Sequence, residues 1–76
     1  MHELDCKRML CPMPVIKTQD KIAQLETGDQ LRVICTDPGV MHDIPSWCRV
    51  NGHVVEQATE IEDEFIIVIK VVNDGT

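Results

Sequence analysis

Residues 65–72 read FIIVIKVV, an almost unbroken β-branched run interrupted only by Lys70. Successive strand residues point to opposite faces, so a run without a polar side predicts a strand flanked by others, the centre of a sheet. Only 76 residues are at hand to build the rest. A domain of that size buries roughly 60% of the surface its unfolded chain exposes, so a thin core and one domain over 1–76 are expected.

The other periodicities supply the cover. Glu3 to Cys6 is a short first-strand candidate. Val15, Ile16, Ile22, Ala23 and Leu25 recur at helical spacing opposite Lys17, Asp20, Lys21 and Gln24, with Gln19 intruding on the apolar arc and Gly28 placed to end the helix. Leu31, Val33 and Cys35 alternate with Arg32, Ile34 and Thr36, which predicts a strand over Gln30 to Thr36 that stops at the turn signal Asp37-Pro38-Gly39. From Val40 the period lengthens again, and Val40, Ile44, Trp47 and Cys48 share one helical face, closed by Asn51-Gly52. Pro45 fits if Asp43 caps a first turn that starts at Ile44. His53 to Glu60 is a third strand, and Glu62-Asp63-Glu64 turns the chain into the central run. The order β-α-β-α-β-β predicts an α+β fold, with two helices on one face of a four-stranded sheet.

Composition excludes several function classes. Hydrophobic residues at 43% and charged residues at 26% are globular rather than disordered values. No apolar run approaches the ~18 residues of a membrane span, and the N-terminus lacks the basic-then-apolar layout of an export signal, so a soluble cytoplasmic chain without membrane association is expected. In a reducing compartment Cys6, Cys11, Cys35 and Cys48 are expected to be thiols. The net charge of −6 falls entirely in residues 37–76, where two bases face eight acids. Such a chain, with one tryptophan, one phenylalanine and no tyrosine, lacks the clustered cations and stacking surface of a tight nucleic-acid binder. The cysteine gaps are C-x4-C and longer, with His42 and His53 matched to neither, so neither a metal nor a cofactor is expected.

The residues that most invite chemistry are Leu10-Cys11-Pro12-Met13-Pro14. The first N–H groups of a helix have no intrahelical partner, so Pro12 at the first helical position and Pro14 in the first turn each lose a donor that is free anyway, while fixing φ. Cys11 is thereby placed at the positive end of the helix dipole, with the Met13 and Val15 amides as candidate donors to its sulfur. Lys7 and Arg8 lie in the same loop, and such surroundings lower a thiol pKa and favour the nucleophilic thiolate. The competing reading is a helix start that uses cysteine as a small buried residue.

Leu4-Asp5, Cys11-Pro12-Met13-Pro14-Val15, Gly28 with Leu31 and Val33, Asp37-Pro38, Asp43-Ile44-Pro45, Gly52-His53 and Phe65 to Ile69 together resemble the TusA-like, or SirA-like, family of small sulfur carriers, in family order over nearly the whole chain. The resemblance implies a two-layer sandwich like the C-terminal domain of translation initiation factor 3, with a mixed sheet of order 1-2-4-3. It also implies that Cys11 accepts a persulfide sulfur from a donor protein, a cysteine desulfurase or rhodanese, and relays it to an acceptor protein for tRNA thiolation, cofactor synthesis or sulfur oxidation. Such a sulfurtransferase is expected to act as a monomer. The alternative is a non-catalytic regulatory or interaction domain of the same fold.

One departure stands out. The family usually reads Leu-Asp-x-x-Gly-Leu-x-Cys, and here Arg8 holds the glycine position and Met9 the leucine. Arg8 is expected either to stabilise a Cys11 thiolate or to serve, with Lys7, as a docking patch for an acidic partner. Cys6 is a candidate second thiol, able in principle to pair with Cys11, although a place at the end of the first strand facing the sheet is the favoured reading. Cys35 and Cys48 read as core residues, and His53 as a structural or docking residue. Asp37, Asp43 and His42 suggest a polar edge, with caps and turns accounting for the two aspartates.

Overall fold

The computed structural model describes residues 1–73. Its elements are β1 (His2–Cys6), α1 (Met13–Ile22), β2 (Gln30–Cys35), α2 (Val40–Asn51), β3 (Val54–Ile61) and β4 (Glu64–Lys70). The apolar run does occupy the middle: the sheet order is β1-β2-β4-β3. β1 runs parallel to β2, while β4 is antiparallel to both β2 and β3.

Both faces of β4 are used. Ile67, Ile69 and, just past the strand, Val71 are fully buried on the helix side. On the open side Val68 is still only 7% exposed, with Arg32 and Gln57 beside it on the neighbouring strands. Each fully buried aliphatic side chain contributes about 1.5–3 kcal/mol relative to exposure, and this strand supplies much of a small core. β3 and β4 are joined through Glu62 and Asp63, both at positive φ, as a tight two-residue hairpin requires.

α1 packs over β1 and β2, and α2 over β3 and β4. Their registers differ from the sequence expectation in three places. α1 buries the line Pro14, Thr18 and Ile22 with Val15 alongside, leaving Ile16 and Ala23 exposed. It ends at Ile22, well before Gly28, because Gln24 and Leu25 donate to the carbonyls three residues back and the Asn73 side chain caps the carbonyls of Ile22 and Leu25 at 2.9 and 3.1 Å. Gly28, at φ 96°, makes the turn into β2 instead. α2 begins at Val40 rather than Ile44, launched from the Asp37-Pro38-Gly39 turn by bonds from the Val40, Met41 and His42 amides to the carbonyls of those three residues. Pro45 is therefore inside the helix and Asp43 is not its cap. Of the expected face, Val40, Ile44 and Cys48 are buried and Trp47 is partly buried against the core, and Gly52 closes the helix in the left-handed conformation.

Candidate functional site

β1 and β2 are parallel and in register, with Cys6 opposite Cys35 at their carboxyl ends. Whatever follows each strand must leave the sheet at the same edge. The crevice beyond the carboxyl ends of parallel strands is the usual place for function in such sheets. Here the β1–α1 loop meets the β2–α2 loop, and the two are laced by side-chain acceptors of the second loop. The Arg8 N–H donates to Thr36 Oγ1 at 2.8 Å, and the Cys11 N–H donates to Asp37 Oδ2 at 3.0 Å. The other Asp37 oxygen accepts the Gly39 N–H at 3.0 Å. These backbone bonds, from Gly39 first and then Cys11, hold the Asp37 carboxyl below the usual carboxylate range.

The Cys11 side chain is exposed, and its Sγ donates to Asp43 Oδ2 at 2.9 Å. Asp43 reaches it from the first turn of α2, which is why the helix start at Val40 matters. The space between is kept by Gly39: a Cβ there would meet Cys11 Sγ at 3.3 Å, Asp37 Oδ1 at 3.4 Å and Asp43 Oδ2 at 3.8 Å. Two carboxylates around a thiol favour its neutral form. The thiol is accordingly pushed up to about 12, first by the bond to Asp43, then by desolvation from the surrounding loops, then by Asp37.

This reverses the electrostatics expected from the sequence. The Met13 N–H is spent on the Leu10 carbonyl at 2.9 Å, and the sulfur is a donor to Asp43 rather than an acceptor from helix amides. The groups that act most strongly on the thiol are the carboxylates of Asp43 and Asp37, and they oppose the thiolate that Lys7 and Arg8 were expected to favour. The mount is shifted by one residue from the expectation: Pro12, read at the first helical position, takes the cap position of α1, Pro14 is its second residue, and the Cys11-Pro12 bond is cis. Met13 is exposed beside it, and Pro14 is buried.

Of the four cysteines Cys11 is the exposed one. Cys6 and Cys35 are fully buried neighbours on adjacent strands, and burial raises both thiols, Cys35 to about 12. Cys48 is pushed up to about 11 by burial in the face of α2. His53 lies away from this loop cluster, between α2 and the end of the sheet. It stacks on Trp47 with ring centroids 5.3 Å apart, and its Nδ1 accepts the Val72 N–H at 3.0 Å, a structural role. His42 is exposed and bonds to neither aspartate. Sequence reasoning assigned Asp37 and Asp43 to caps and turns; Asp37 does hold its turn, but both also hold the cysteine. Their presence in the Asp-Pro and Asp-Ile-Pro pieces of the family pattern was the available signal.

Residues 2–71 match the family model described as sulfurtransferase TusA. The chain belongs to this family. Its relatives include a putative sulfur carrier protein of Neisseria meningitidis, 36% identical over 67 residues that cover 88% of this chain and 90% of the relative. The sulfur carrier protein TusA of Pseudomonas syringae is 45% identical over 60 residues, covering 76% of this chain and 71% of that one. Among solved structures, the SirA-like protein of Desulfitobacterium hafniense superposes with a TM-score of 0.83 at 21% identity, over 92% of this chain and 96% of that one, which confirms the fold. A sulfur-carrier role follows from the family, with sulfur donors and acceptors as its partners in general. Among the described residues no helix is long and apolar enough to cross a membrane.

Proposed function

We propose that Cys11 is the sulfur-bearing residue of this TusA-family carrier. The observation that supports the reading is its position: the one exposed cysteine of the four, set where the loops after two parallel strands converge. In the transfer step the Cys11 sulfur attacks the outer sulfur of a donor protein's persulfide. A new sulfur–sulfur bond forms at Cys11, the donor's bond breaks, and the donor cysteine leaves as a thiol carrying the displaced proton. There is no net oxidation, so no cofactor is called for. Relay to an acceptor repeats the exchange in the opposite sense.

The two aspartates give this step a gate. With Asp43 accepting its proton, the idle thiol stays protonated and is a poor nucleophile towards small electrophiles. A donor that draws Asp43 away on docking releases the thiol only where sulfur is on offer. The donor side is a cysteine desulfurase or a rhodanese-like protein, and the sulfur goes on to tRNA thiolation, cofactor synthesis or sulfur oxidation.

Intact-mass measurement tests the assignment. After incubation with a desulfurase and cysteine, or with rhodanese and thiosulfate, the wild type is expected to gain one sulfur that reductant removes, and Cys11→Ser none. Equal loading of Cys11→Ser refutes the assignment. A masked thiol also suits a domain that only docks partners, and that reading takes over if the wild type gains no sulfur from any persulfide donor.

A further inference from the structure

Arg8 has a backbone φ of 67°, in the left-handed region where a glycine is free and a long side chain is strained. The family pattern carries glycine there. The one backbone bond it makes, N–H to Thr36 Oγ1, is open to any non-proline residue, so the loop does not need the arginine. Nor does the thiol, whose hydrogen bond goes to Asp43. The guanidinium has no ion-pair partner among the described residues, whereas Lys7, its neighbour, lies 4.0 Å from Glu64. Arg8 lines an open cleft of about 720 Å³ with Asp5, Lys7, Thr36 and Glu64.

We propose that this cleft, with the exposed Leu10 and Met13 that neighbour Cys11 in the chain, is the docking surface for an acidic segment of the protein that exchanges sulfur with Cys11. The proposal rests on the sulfur-carrier reading of Cys11. Arg8 lies three residues before Cys11, so their Cα atoms are at most about 11 Å apart, and one partner loop reaches both. Leu10 is 74% and Met13 41% exposed, an apolar edge on either side of the cysteine in the chain. The four charges lining the cleft balance, so the attraction is local: the planar fork of an arginine engages a carboxylate through two parallel hydrogen bonds. Asp37 and Asp43 disfavour a carboxylate at the sulfur itself, which leaves the Arg8 cleft as its seat.

Two thiol-free ten-residue peptides test this, identical except that one carries a pair of glutamates beside a leucine and the other a pair of lysines. Each is titrated into the labelled full chain and followed by backbone amide shifts. The acidic peptide is expected to move the amides of Lys7 to Met13, the lysine peptide to leave them in place, and Arg8→Glu to weaken the acidic peptide at least about tenfold, the order expected when one charge-assisted carboxylate contact is lost. Arg8→Gly relieves the left-handed strain, so it should melt no lower than wild type and still lose the acidic peptide, which separates docking from unfolding. The proposal is overturned if neither peptide moves these amides, if the lysine peptide binds there more tightly, or if Arg8→Glu binds the acidic peptide as wild type does. Loading of Cys11 by a neutral alkyl persulfide in an Asp43→Asn background, where the proton is no longer held, reads the carrier function independently of the cleft. Asp43→Asn with and without Arg8→Glu should load alike, and failure of both refutes the sulfur assignment while the peptide result stands.

Discussion

Replacing Asp43 with asparagine keeps the shape of the side chain and removes the charge that holds the Cys11 proton. The hydrogen bond from Sγ to Asp43 Oδ2, at 2.9 Å, is the largest of the influences that carry the thiol from an ordinary 9.0 to about 12. At pH 8 a thiol titrating near 12 is ionised in about one molecule in 10,000, and one titrating near 9 in about one in ten, a gain approaching 1,000-fold in thiolate. Part of it is returned, because nucleophilicity falls with pKa with a slope of about 0.4–0.5, which over three units is roughly 20-fold. The net ceiling is therefore about 40-fold in the rate of alkylation. Burial and Asp37 remain in the variant, so about tenfold is the expected result. Iodoacetamide labelling followed by intact mass reads it directly, since Cys6, Cys35 and Cys48 are buried and Cys11→Ser supplies the blank. In wild type the rate should keep rising tenfold per pH unit through pH 9 without levelling; in Asp43→Asn it should level earlier. An Asp43→Asn rate equal to wild type, with the same pH profile, would falsify the gating argument.

Gly39→Ala should fold, because Gly39 already has helical φ and ψ, but its Cβ at 3.3 Å from Cys11 Sγ forces the sulfur or a carboxylate to yield, at a cost of about 1 kcal/mol. The same labelling assay should show a faster Cys11 than wild type and a slower one than Asp43→Asn; an unchanged rate means the sulfur was not held there. His53 contributes a pH dependence of stability. Burial lowers its pKa and its Nδ1 must be unprotonated to accept the Val72 N–H, so its stabilisation is fully present above the unfolded value of about 6.5 and is lost as pH falls through the lowered folded value. Melting temperature should drop below about pH 6.5 in wild type, and His53→Phe, which keeps an aromatic ring beside Trp47, should flatten that drop; an identical slope in the variant assigns the acid sensitivity elsewhere.

The sheet was legible because its signal is local. The run from Phe65 onward lacks a polar face, and only a central position covers it, so a place for β4 inside the sheet follows from side-chain alternation alone. Cys11 was legible for a similar reason: two prolines after a cysteine state a helix start in the chain itself. The family pattern then carried the strand order that periodicity could not supply. What these signals lacked was any term for residues distant in sequence. The end of α1 depends on Asn73, 51 positions from Ile22, and the helix stops where that amide finds its carbonyls rather than at the nearest glycine.

The electrostatics of the thiol were decided at the same long range. A helix dipole and the cations of one loop can be read along the chain, and they point to a lowered pKa. Asp37 and Asp43 stand 26 and 32 residues from Cys11 and meet it only because β1 and β2 pair in parallel register and α2 starts at Val40. At 2.9 Å a full carboxylate charge outweighs the half-charge of a helix terminus that begins two residues away. The sequence by itself determined that Cys11 stands at the start of a helix, ahead of two prolines. The tertiary structure decided that its proton is held in place, because the sign of a pKa shift belongs to the nearest charges in space and the chain order does not contain those distances.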